Sequence, residues 1–324
     1  MINSFAKLFR LPNLLIIAVT QYMMRYFIIK PFLAVNNFEL QFSDFHFFLL
    51  VLSTVLIAAG GYAINDYFDT KTDRLNKPSR VVIDKTISRG FAIKIHSALS
   101  AIGVLIGVYL SFFIGIPGIS IVFILASGML WFYSMTYKKE FLIGNLIVSL
   151  LTGVVPVMVI LFELPLLNEV YGDIMLKVNA NFNYIFYWVL GFGFFAFTTN
   201  LIREIIKDAE DFEGDSAYGM NTIPIVLGIR ISKVIISILI VGFLASLVLL
   251  LIKFIINTDS GFDYISSSYF TFLVVLPSIF IIFKVIFAKS KKDYHLASLF
   301  MKFVMLFGIL YSVVVYIIME YQLN

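Results

Sequence analysis

The sequence predicts an all-α membrane protein, a single domain that spans residues 1–324. Hydrophobic residues make up 60% of the 324 residues and charged residues only 14%, and the mean hydropathy is +0.97. This composition is typical of chains that have the lipid bilayer as their solvent. Runs of about 20 apolar residues, the length that a helix needs to cross the hydrocarbon core, recur along nearly the whole chain. We therefore expect a multi-pass helical bundle.

Nine apolar runs are long enough to be transmembrane helices. We place them at about 12–35, 45–64, 92–115, 118–137, 141–163, 184–206, 230–256, 268–288 and 296–319. The first run is the least regular, because it contains Arg25 and Lys30. Two interpretations stay open. Arg25 serves a function inside the membrane, as intramembrane charges usually do, or the helix ends near residue 29 and Arg25 reaches the outer interface beside Lys30.

The distribution of lysine and arginine predicts which loops are cytoplasmic. Short cytoplasmic loops collect these residues, and here they gather before the first run and in the stretches 71–89, 138–139, 207–230 and 289–292. We therefore place the N-terminus inside and, after nine spans, the C-terminus outside. The formal charge of +4 then reflects topology and attraction to anionic membrane lipids, and we expect no nucleic-acid partner.

The absence of cysteine and the spacing of the histidines exclude several kinds of metal and disulfide site. The chain has no cysteine, which excludes disulfides, zinc thiolate sites and iron–sulfur clusters. His46, His96 and His295 are far apart in the sequence and form no metal-ligand spacing. We interpret each histidine as an ordinary interfacial residue, which leaves the acidic side chains as the candidates for chemistry. The sequence does not indicate an oligomeric state.

A first acidic cluster, residues 65–73, follows the second apolar run. Asn65, Asp69 and Asp73 are spaced at i, i+4 and i+8. A helix that continues through them presents all three within roughly 80° of one another on one face. Asp66 lies off that face but only three residues from Asp69, close enough to support the set. This face offers the oxygen ligands that hard divalent cations prefer.

A second acidic cluster, residues 204–215, follows the sixth apolar run. Its acidic side chains repeat at the spacing of one helical face: Glu204, Asp208, Asp211 and Asp215. Gly214 is a potential helix break before the last of them. Both clusters are predicted to face the cytoplasm, and they occupy equivalent places four spans apart. That equivalence indicates a weak internal repeat with a shared function.

The concentration of like charges predicts a bound cation. Carboxylates at helical spacing repel one another, and Mg²⁺, which one or two carboxylates, water and phosphate oxygens satisfy, would compensate both clusters. The alternative is a pair of solvated, charge-balanced loops, because Lys71, Arg74, Lys77 and Lys207 lie among the acids. Two clusters on one predicted side favour the metal. An ion-coupled transporter is an alternative of another class, but its acids should lie near the bilayer midplane.

Both clusters belong to longer patterns. These are Asn65-Asp66-x-x-Asp69-x-x-x-Asp73-Arg74-x-Asn76-x-Pro78-x-Arg80 and Arg203-Glu204-x-x-Lys207-Asp208-x-Glu210-Asp211-x-Glu213-Gly214-Asp215. Further elements are Arg10-Leu11-Pro12-Asn13, Tyr133-Ser134 with Lys138, and Gly219-x-Asn221-Thr222-Ile223-Pro224. Together they resemble the UbiA superfamily of intramembrane prenyltransferases. The chain departs from that family after Arg80, where Val81-Val82-Ile83-Asp84-Lys85 replaces a turn of Pro, Ser and Gly.

The resemblance implies a bundle whose central cavity is closed by two cytoplasmic cap loops, at about 65–91 and 207–229, over a polyprenyl diphosphate. The implied cofactor is Mg²⁺, with the metal-ligand candidates Asn65, Asp69, Asp73, Asp208, Asp211 and Asp215; Asp69, Asp73, Asp211 and Asp215 are also the candidate catalytic residues. The implied diphosphate-binding residues are Arg74, Arg80, Lys138 and Lys207, each of which is otherwise a positive-inside anchor. The remaining substrate-pocket candidates are Asn13, Asp66, Tyr133 and Arg203.

The second pattern also implies an acceptor. Its long acidic run most resembles the branch that transfers a geranylgeranyl group to geranylgeranylglyceryl phosphate in ether-lipid synthesis. An acceptor with its own phosphate suits the cation-rich loops. In the implied reaction, Mg²⁺ neutralises the diphosphate, the allylic C–O bond ionises, and the acceptor hydroxyl attacks the cation. The alternative within the same family is prenylation of an aromatic acceptor, a quinone precursor or a related ring.

Overall fold

The computed structural model describes residues 2–76, 81–253, 257–258 and 261–323. The helices in these residues are α1 (Ile2–Leu8), α2 (Leu11–Met23), α3 (Lys30–Ala34), α4 (Asp44–Asn76), α5 (Arg89–Phe113), α6 (Ser120–Met135), α7 (Ile143–Lys177), α8 (Asn183–Glu210), α9 (Phe212–Ala217), α10 (Ile223–Leu251), α11 (Tyr264–Phe270), α12 (Leu276–Ile286) and α13 (Lys291–Leu323). Two-residue strands, β1 (Asn257–Thr258) and β2 (Gly261–Phe262), pair antiparallel. π-Helical turns at Met24–Ile29 and Thr271–Val275 join α2 to α3 and α11 to α12.

Nine helical segments within the described residues are long and apolar enough to cross a membrane. They are Leu11–Ala34, Asp44–Asn76, Arg89–Phe113, Pro117–Met135, Ile143–Lys177, Asn183–Glu210, Ile223–Leu251, Tyr264–Ile286 and Lys291–Glu320. Each coincides with one of the nine predicted runs. The all-α fold class is confirmed, and the protein is an integral, multi-pass membrane protein.

Several helix ends differ from the predicted ones. The first segment does not stop near residue 29, because the backbone stays helical through the π turn to Ala34. The fifth segment continues to Lys177, although Pro156 and Pro165 lie inside it. The seventh begins at Ile223, with a break at Gly228, whose φ is 81°. Hydropathy marks the part of a helix that lies in lipid, whereas the helix itself extends into its polar flanks.

The two predicted cap loops are largely helical, which corrects that prediction. Residues 65–76 contain no glycine or proline, and α4 continues through them to Asn76. Likewise α8 runs to Glu210, and the short helix α9 follows after Asp211. In these stretches, the described connections without helix are residue 211 and residues 81–88 and 218–222. Most predicted ligands therefore lie on helices.

The chain divides into two compact units. Unit 1 comprises Met1–Lys138, Gly153–Gly193 and Met319–Asn324, and unit 2 comprises Lys139–Thr152 and Phe194–Ile318. The first acidic cluster belongs to unit 1 and the second to unit 2. The single domain of residues 1–324 that we expect from the sequence remains a prediction.

Unit 1 contains a close contact between α4 and α5. Ser53 Oγ donates a hydrogen bond to the backbone oxygen of Gly103 at 2.7 Å. A Cβ atom at Gly103 would lie only 2.9 Å from the backbone oxygen of Ser53. Position 103 therefore requires glycine for the two helices to approach each other, as small residues allow in membrane proteins.

An apolar cluster in unit 1 secures the segment that follows the first acidic cluster. Leu8 of α1 is fully buried there, and its buried neighbours are Ala63, Val82, Ile83, Ile87 and Ala92. Phe5, Phe9, Tyr67 and Ile95 pack around the edge. The N-terminal helix α1 thus holds residues 82–87 beside the end of α4.

A buried ionic network in unit 1 surrounds Arg25. Its side chain is 3% exposed and that of Glu163 is 1% exposed, with Arg25 Nη1 at 3.1 Å from Glu163 Oε2. Arg25 Nη2 also donates to Asp44 Oδ1 at 3.0 Å and to the backbone oxygen of Phe42. The interpretation in which helix 1 ends early and Arg25 reaches the interface is therefore wrong, because the π turn directs this side chain inward to Glu163.

Unit 2 is held by polar contacts between its helices as well as by apolar packing. Ser266 Oγ and Tyr311 Oη are 2.8 Å apart, and the ring of Tyr311 lies 4.4 Å from that of Phe270. Lys233 Nζ donates to two backbone oxygens at the C-terminal end of α12, those of Ile286, its last residue, and Ala288, at 3.1 and 2.6 Å. These bonds satisfy carbonyl groups that a helix end leaves without partners.

Candidate active site

A buried carboxylate lies at the centre of the first acidic cluster. The side chain of Asp69 is 7% exposed. Asn65, one helical turn earlier, donates from Nδ2 to Asp69 Oδ2 at 2.7 Å, and Lys138 Nζ donates to the same oxygen. The structure therefore brings together two predicted metal-ligand candidates and one predicted diphosphate-binding residue, although Lys138 lies 69 residues from Asp69.

Lys138 is held as a cation by its surroundings. It is the middle residue of a 3₁₀ turn, Tyr137–Lys139, that follows α6. Burial disfavours its charged form, but Asp69, the nearby Tyr133 and Asp73 outweigh burial, so that the pKa of Lys138 lies above its ordinary value. A permanently charged ammonium group at this place suits phosphate oxygens. Tyr133, a predicted pocket residue, is half-buried beside it.

Asp66 binds a cation that was not among the predicted site residues. Arg10 Nη2 lies 2.9 Å from Asp66 Oδ1, and the guanidinium lies 5.0 Å from the centre of the Tyr62 ring. Burial opposes the charge of Arg10, but Asp66 and Tyr62 together raise its pKa above the ordinary value. The only sequence signal for Arg10 was its place in the Arg10-Leu11-Pro12-Asn13 pattern. Asn13 lies half-buried in the first turn of α2.

A small cavity adjoins Asp66 and Asp73. Its other lining residues are Thr70, Val81, Val82 and Ile83. The segment in which the sequence departs from the UbiA pattern therefore forms one wall of this cavity. An isolated bridge between Ile83 and Ile87 closes that segment into a tight turn.

Both predicted diphosphate-binding arginines, Arg74 and Arg80, follow the first cluster. Arg74 is exposed and reaches Asp84 in the turn, with its Nη2 at 3.4 Å from Asp84 Oδ2. Its guanidinium is therefore associated with the 81–88 segment. Arg80 lies outside the described residues.

The second acidic cluster does not form one continuous helical stripe, which corrects the prediction. Helix α8 ends at Glu210, and Asp211 has backbone angles of φ −94° and ψ 10° before α9 begins. The break falls three residues before Gly214, and Asp215 lies buried within α9. The Asp215 backbone N–H donates to the Asp211 oxygen at 3.0 Å. A short turn thus separates Asp208 from Asp215.

Asp208 binds a polar residue that the sequence analysis missed. Asn145 Nδ2 donates to Asp208 Oδ2 at 2.8 Å. Asn145 lies near the start of α7, and Asn200 on α8 donates to Ser149, one turn further along α7, at 3.2 Å. A signal existed in the polar residues Asn145, Ser149 and Thr152, which repeat at i, i+4 and i+7 inside an apolar run.

The cations of the second pattern gather on one carboxylate. Lys207 Nζ donates to both oxygens of Glu204, at 3.0 and 2.8 Å, and Arg203 Nη1 lies 3.2 Å from Glu204 Oε1. Glu204 was predicted as part of the acidic stripe. The structure instead shows it as the partner of Arg203 and Lys207.

The first turns of α13 also contact the second cluster, a contact that the sequence analysis did not predict. Lys291 Nζ lies 3.6 Å from Asp211 Oδ1, and His295 Nδ1 lies 3.0 Å from Glu210 Oε1. Three lysines between 289 and 292 were assigned only to topology. Hydropathy gives no signal that distinguishes a lysine that reaches a carboxylate from one that faces lipid headgroups.

The oxygen donors of each cluster fit Mg²⁺. This hard cation is held by one or two carboxylates together with water and phosphate oxygens, and the clusters present carboxylates with the amide of Asn65. Among the side chains that the structure describes, no group of three or more His, Asp or Glu could hold a metal ion alone. Mg²⁺ would therefore take most of its ligands from diphosphate and water.

Comparison with known proteins identifies relatives along most of the chain. The model of the UbiA prenyltransferase family matches residues 33–307. A digeranylgeranylglyceryl phosphate synthase from Methanothermobacter thermautotrophicus is 38% identical over 59% of this chain, and the match spans only 59% of that relative's length. The synthase of the same name from Saccharolobus solfataricus is 31% identical over 92% of this chain and 90% of its own.

Solved structures share the fold. A structure of digeranylgeranylglyceryl phosphate synthase has a TM-score of 0.62 at 22% identity, over 96% of this chain and 98% of that one. A UbiA homologue from Archaeoglobus fulgidus, bound to GPP and Mg²⁺, has a TM-score of 0.52 at 14% identity, over 96% of this chain and 99% of that one. At these identities the likeness concerns the fold.

Proposed function

Because this chain belongs to the UbiA prenyltransferase family, we propose that it transfers a geranylgeranyl group from its diphosphate to geranylgeranylglyceryl phosphate, with Mg²⁺ as cofactor. The observation that carries the choice of acceptor is the relationship at 30% identity or more to synthases named for the digeranylgeranylglyceryl product, in one case along 90% of the relative. Membership of a prenyltransferase family argues against the alternative of an ion-coupled transporter. The relatives favour a glyceryl phosphate acceptor over an aromatic ring.

The donor carboxylates and amide of the two clusters would hold the cofactor. In unit 1 these are Asn65, Asp69 and Asp73, and in unit 2 they are Asp208, Asp211 and Asp215. Bound Mg²⁺ neutralises diphosphate and stabilises it as a leaving group. The burial of Asp69 supports its role, because a carboxylate that is removed from water interacts more strongly with charge. Asp73 is half-buried and lines the small cavity beside Asp66.

Cations of the chain would bind the diphosphate oxygens directly. Lys138 is the strongest candidate, because it is charged, half-buried and already fixed beside Asp69. We assign the same role to Lys207, Arg74 and Arg80. Together they stabilise the negative charge that develops as the allylic C–O bond breaks. Tyr133, Asn13, Asp66 and Arg203 would shape the pocket, with Asp66 positioned by Arg10.

The transfer itself requires little more from the protein than orientation and exclusion of water. The allylic carbon loses the diphosphate, the acceptor hydroxyl attacks that carbon, and the hydroxyl proton passes to an oxygen of the departing diphosphate. One ether bond forms as one C–O bond to diphosphate breaks. The products are the diether phosphate and free diphosphate.

The product formed from parallel acceptors tests this function. Purified protein with labelled geranylgeranyl diphosphate and Mg²⁺ is expected to prenylate geranylgeranylglyceryl phosphate, but not 4-hydroxybenzoate or dihydroxynaphthoate, as identified by mass spectrometry. Chelation of the metal with EDTA should stop transfer, because the leaving group then lacks its counter-ion. Prenylation of an aromatic acceptor alone would refute the choice of acceptor, and full activity in EDTA would refute the role of Mg²⁺.

The proposed topology places the N-terminus and both acidic clusters in the cytoplasm and the C-terminus outside. It rests on the lysine and arginine bias of the loops. A reporter inserted within residues 77–90 is expected to be cytoplasmic, and one fused after Asn324 is expected to be external. Reporters on the same side would contradict nine spans with this orientation.

A further inference from the structure

A basic patch, which we define as Lys289, Lys291 and Lys292, lies beside the second acidic cluster in unit 2. Lys291 is 3.6 Å from Asp211. One helical turn later, His295 is 3.0 Å from Glu210. Two residues of α13 thus contact the last residue of α8 and the residue that follows it, which fixes the place of the basic patch relative to the second cluster.

The basic patch is accessible to a ligand. The side chain of Lys291 is 45% exposed, and Lys289 and Lys292 are exposed as well. The separation of 3.6 Å from Asp211 is longer than a charge-assisted hydrogen bond, which measures about 2.7–2.9 Å. Lys291 thus combines an exposed side chain with a position beside the acidic cluster.

The turn that carries the basic patch is ordered by its own hydrogen bonds. Asp293 Oδ2 accepts from the backbone N–H groups of Lys289 and Ser290, each at 3.0 Å. By contrast, Arg203 and Lys207, the cations within the second pattern, are 24% and 28% exposed and bind Glu204. Of these cations of unit 2, those of the basic patch are the more open to a substrate that arrives from outside.

We propose that the basic patch binds the phosphate group of the acceptor, an inference that rests on the proposed function. In geranylgeranylglyceryl phosphate the attacking hydroxyl and the phosphate are only a few bonds apart. When that hydroxyl reaches the allylic carbon, the phosphate must lie close to the carboxylates of the second cluster, to which we assign Mg²⁺. A phosphate dianion beside carboxylates requires cations of its own, besides those that hold the diphosphate. Lys291 and Lys292 supply them.

Binding and steady-state kinetics with a double variant test this proposal. In nanodiscs of neutral lipid, Lys291→Gln/Lys292→Gln is expected to weaken equilibrium binding of labelled geranylgeranylglyceryl phosphate about tenfold or more. The KM for this acceptor should rise by a similar factor, with kcat and the KM for geranylgeranyl diphosphate nearly unchanged. Geranylgeranylglycerol, which lacks the phosphate, should bind the wild type and the variant equally.

A matched control removes the same charge elsewhere. Lys94 and Lys177 are exposed residues of unit 1, and Lys94→Gln/Lys177→Gln should bind the acceptor as the wild type does. Thermal unfolding of both variants in detergent checks that each is folded. Equal acceptor binding by the wild type and Lys291→Gln/Lys292→Gln would overturn the proposal.

Lipid headgroups are the other source of phosphate. If the basic patch binds headgroups instead, acceptor binding by the double variant will differ from that of the wild type only in nanodiscs that contain phosphatidylglycerol. That result also overturns the proposal. Failure of the proposed function gives a different result from failure of the role proposed for the basic patch. In that case the wild type itself neither binds nor prenylates the glyceryl phosphate, whereas here the wild type does both and only the variant loses affinity.

Discussion

Replacing Asp69 by asparagine is expected to reduce kcat by about 10²- to 10³-fold or more, while the protein stays folded. The variant keeps the shape of the side chain and an oxygen that can accept from Asn65, but it removes the negative charge. Without that charge the cluster loses a metal ligand, and Lys138 loses the partner that fixes it. The measurement is the initial rate of diphosphate release, with geranylgeranyl diphosphate, geranylgeranylglyceryl phosphate and Mg²⁺ at saturation.

Two further variants show whether the loss is specific. Asp211→Asn removes the corresponding charge in unit 2 and should reduce kcat by a similar factor, because we propose that both clusters are needed for turnover. Asp173→Asn changes an exposed carboxylate on α7 and should have normal activity. Near-normal turnover in Asp69→Asn or Asp211→Asn would contradict the assignment of that cluster.

The helices of this protein were predictable because lipid imposes a length on them. A span must be apolar over about 20 residues, and nine such runs are visible in the sequence. Their ends were less predictable. The extension of α4 through Asn65 to Asn76 is polar, so hydropathy places it in a loop, whereas the absence of glycine and proline allows the helix to continue.

Spacing predicted some of the site and long-range packing determined the rest. The i, i+4 relation of Asn65 to Asp69 is local, and the observed hydrogen bond follows from it. The contacts of Lys138 with Asp69 and of Asn145 with Asp208 join residues 69 and 63 positions apart. Such pairs depend on which helices are neighbours, and a single sequence does not contain that information.

The turn between α8 and α9 illustrates the limit of periodicity. The spacing of Glu204, Asp208, Asp211 and Asp215 fits one helical face, but the helix stops at Glu210. Lys291 contacts Asp211 at that point. A contact from α13, about 80 residues later in the chain, therefore accompanies a break that no local rule places there.

Breaking the Arg25–Glu163 pair is expected to have the largest effect on stability. Glu163 accepts from Arg25 and from the backbone N–H groups of Gln41 and Phe42. Glu163→Ala leaves a buried guanidinium without its buried counter-ion, a change that costs about 3–5 kcal/mol in comparable cases. The midpoint of thermal unfolding should fall strongly, whereas Glu169→Ala, at an exposed position on the same helix, should leave it nearly unchanged.

A double variant measures whether the charges of Arg25 and Glu163 stabilise the protein as a pair. In Arg25→Met/Glu163→Met neither buried charge remains, so the loss of stability should be smaller than the sum of the losses in Arg25→Met and Glu163→Met. Glu163→Gln keeps an oxygen for the amides of Gln41 and Phe42 but turns a donor toward Arg25. Its stability should therefore lie between those of the wild type and Glu163→Ala. Additive losses in the double variant would mean that Arg25 and Glu163 stabilise the protein independently, and would contradict a coupled pair. A loss smaller than the sum would mean that Arg25, a rare charge within a predicted span, stabilises the packing of the 35–43 connection against α7.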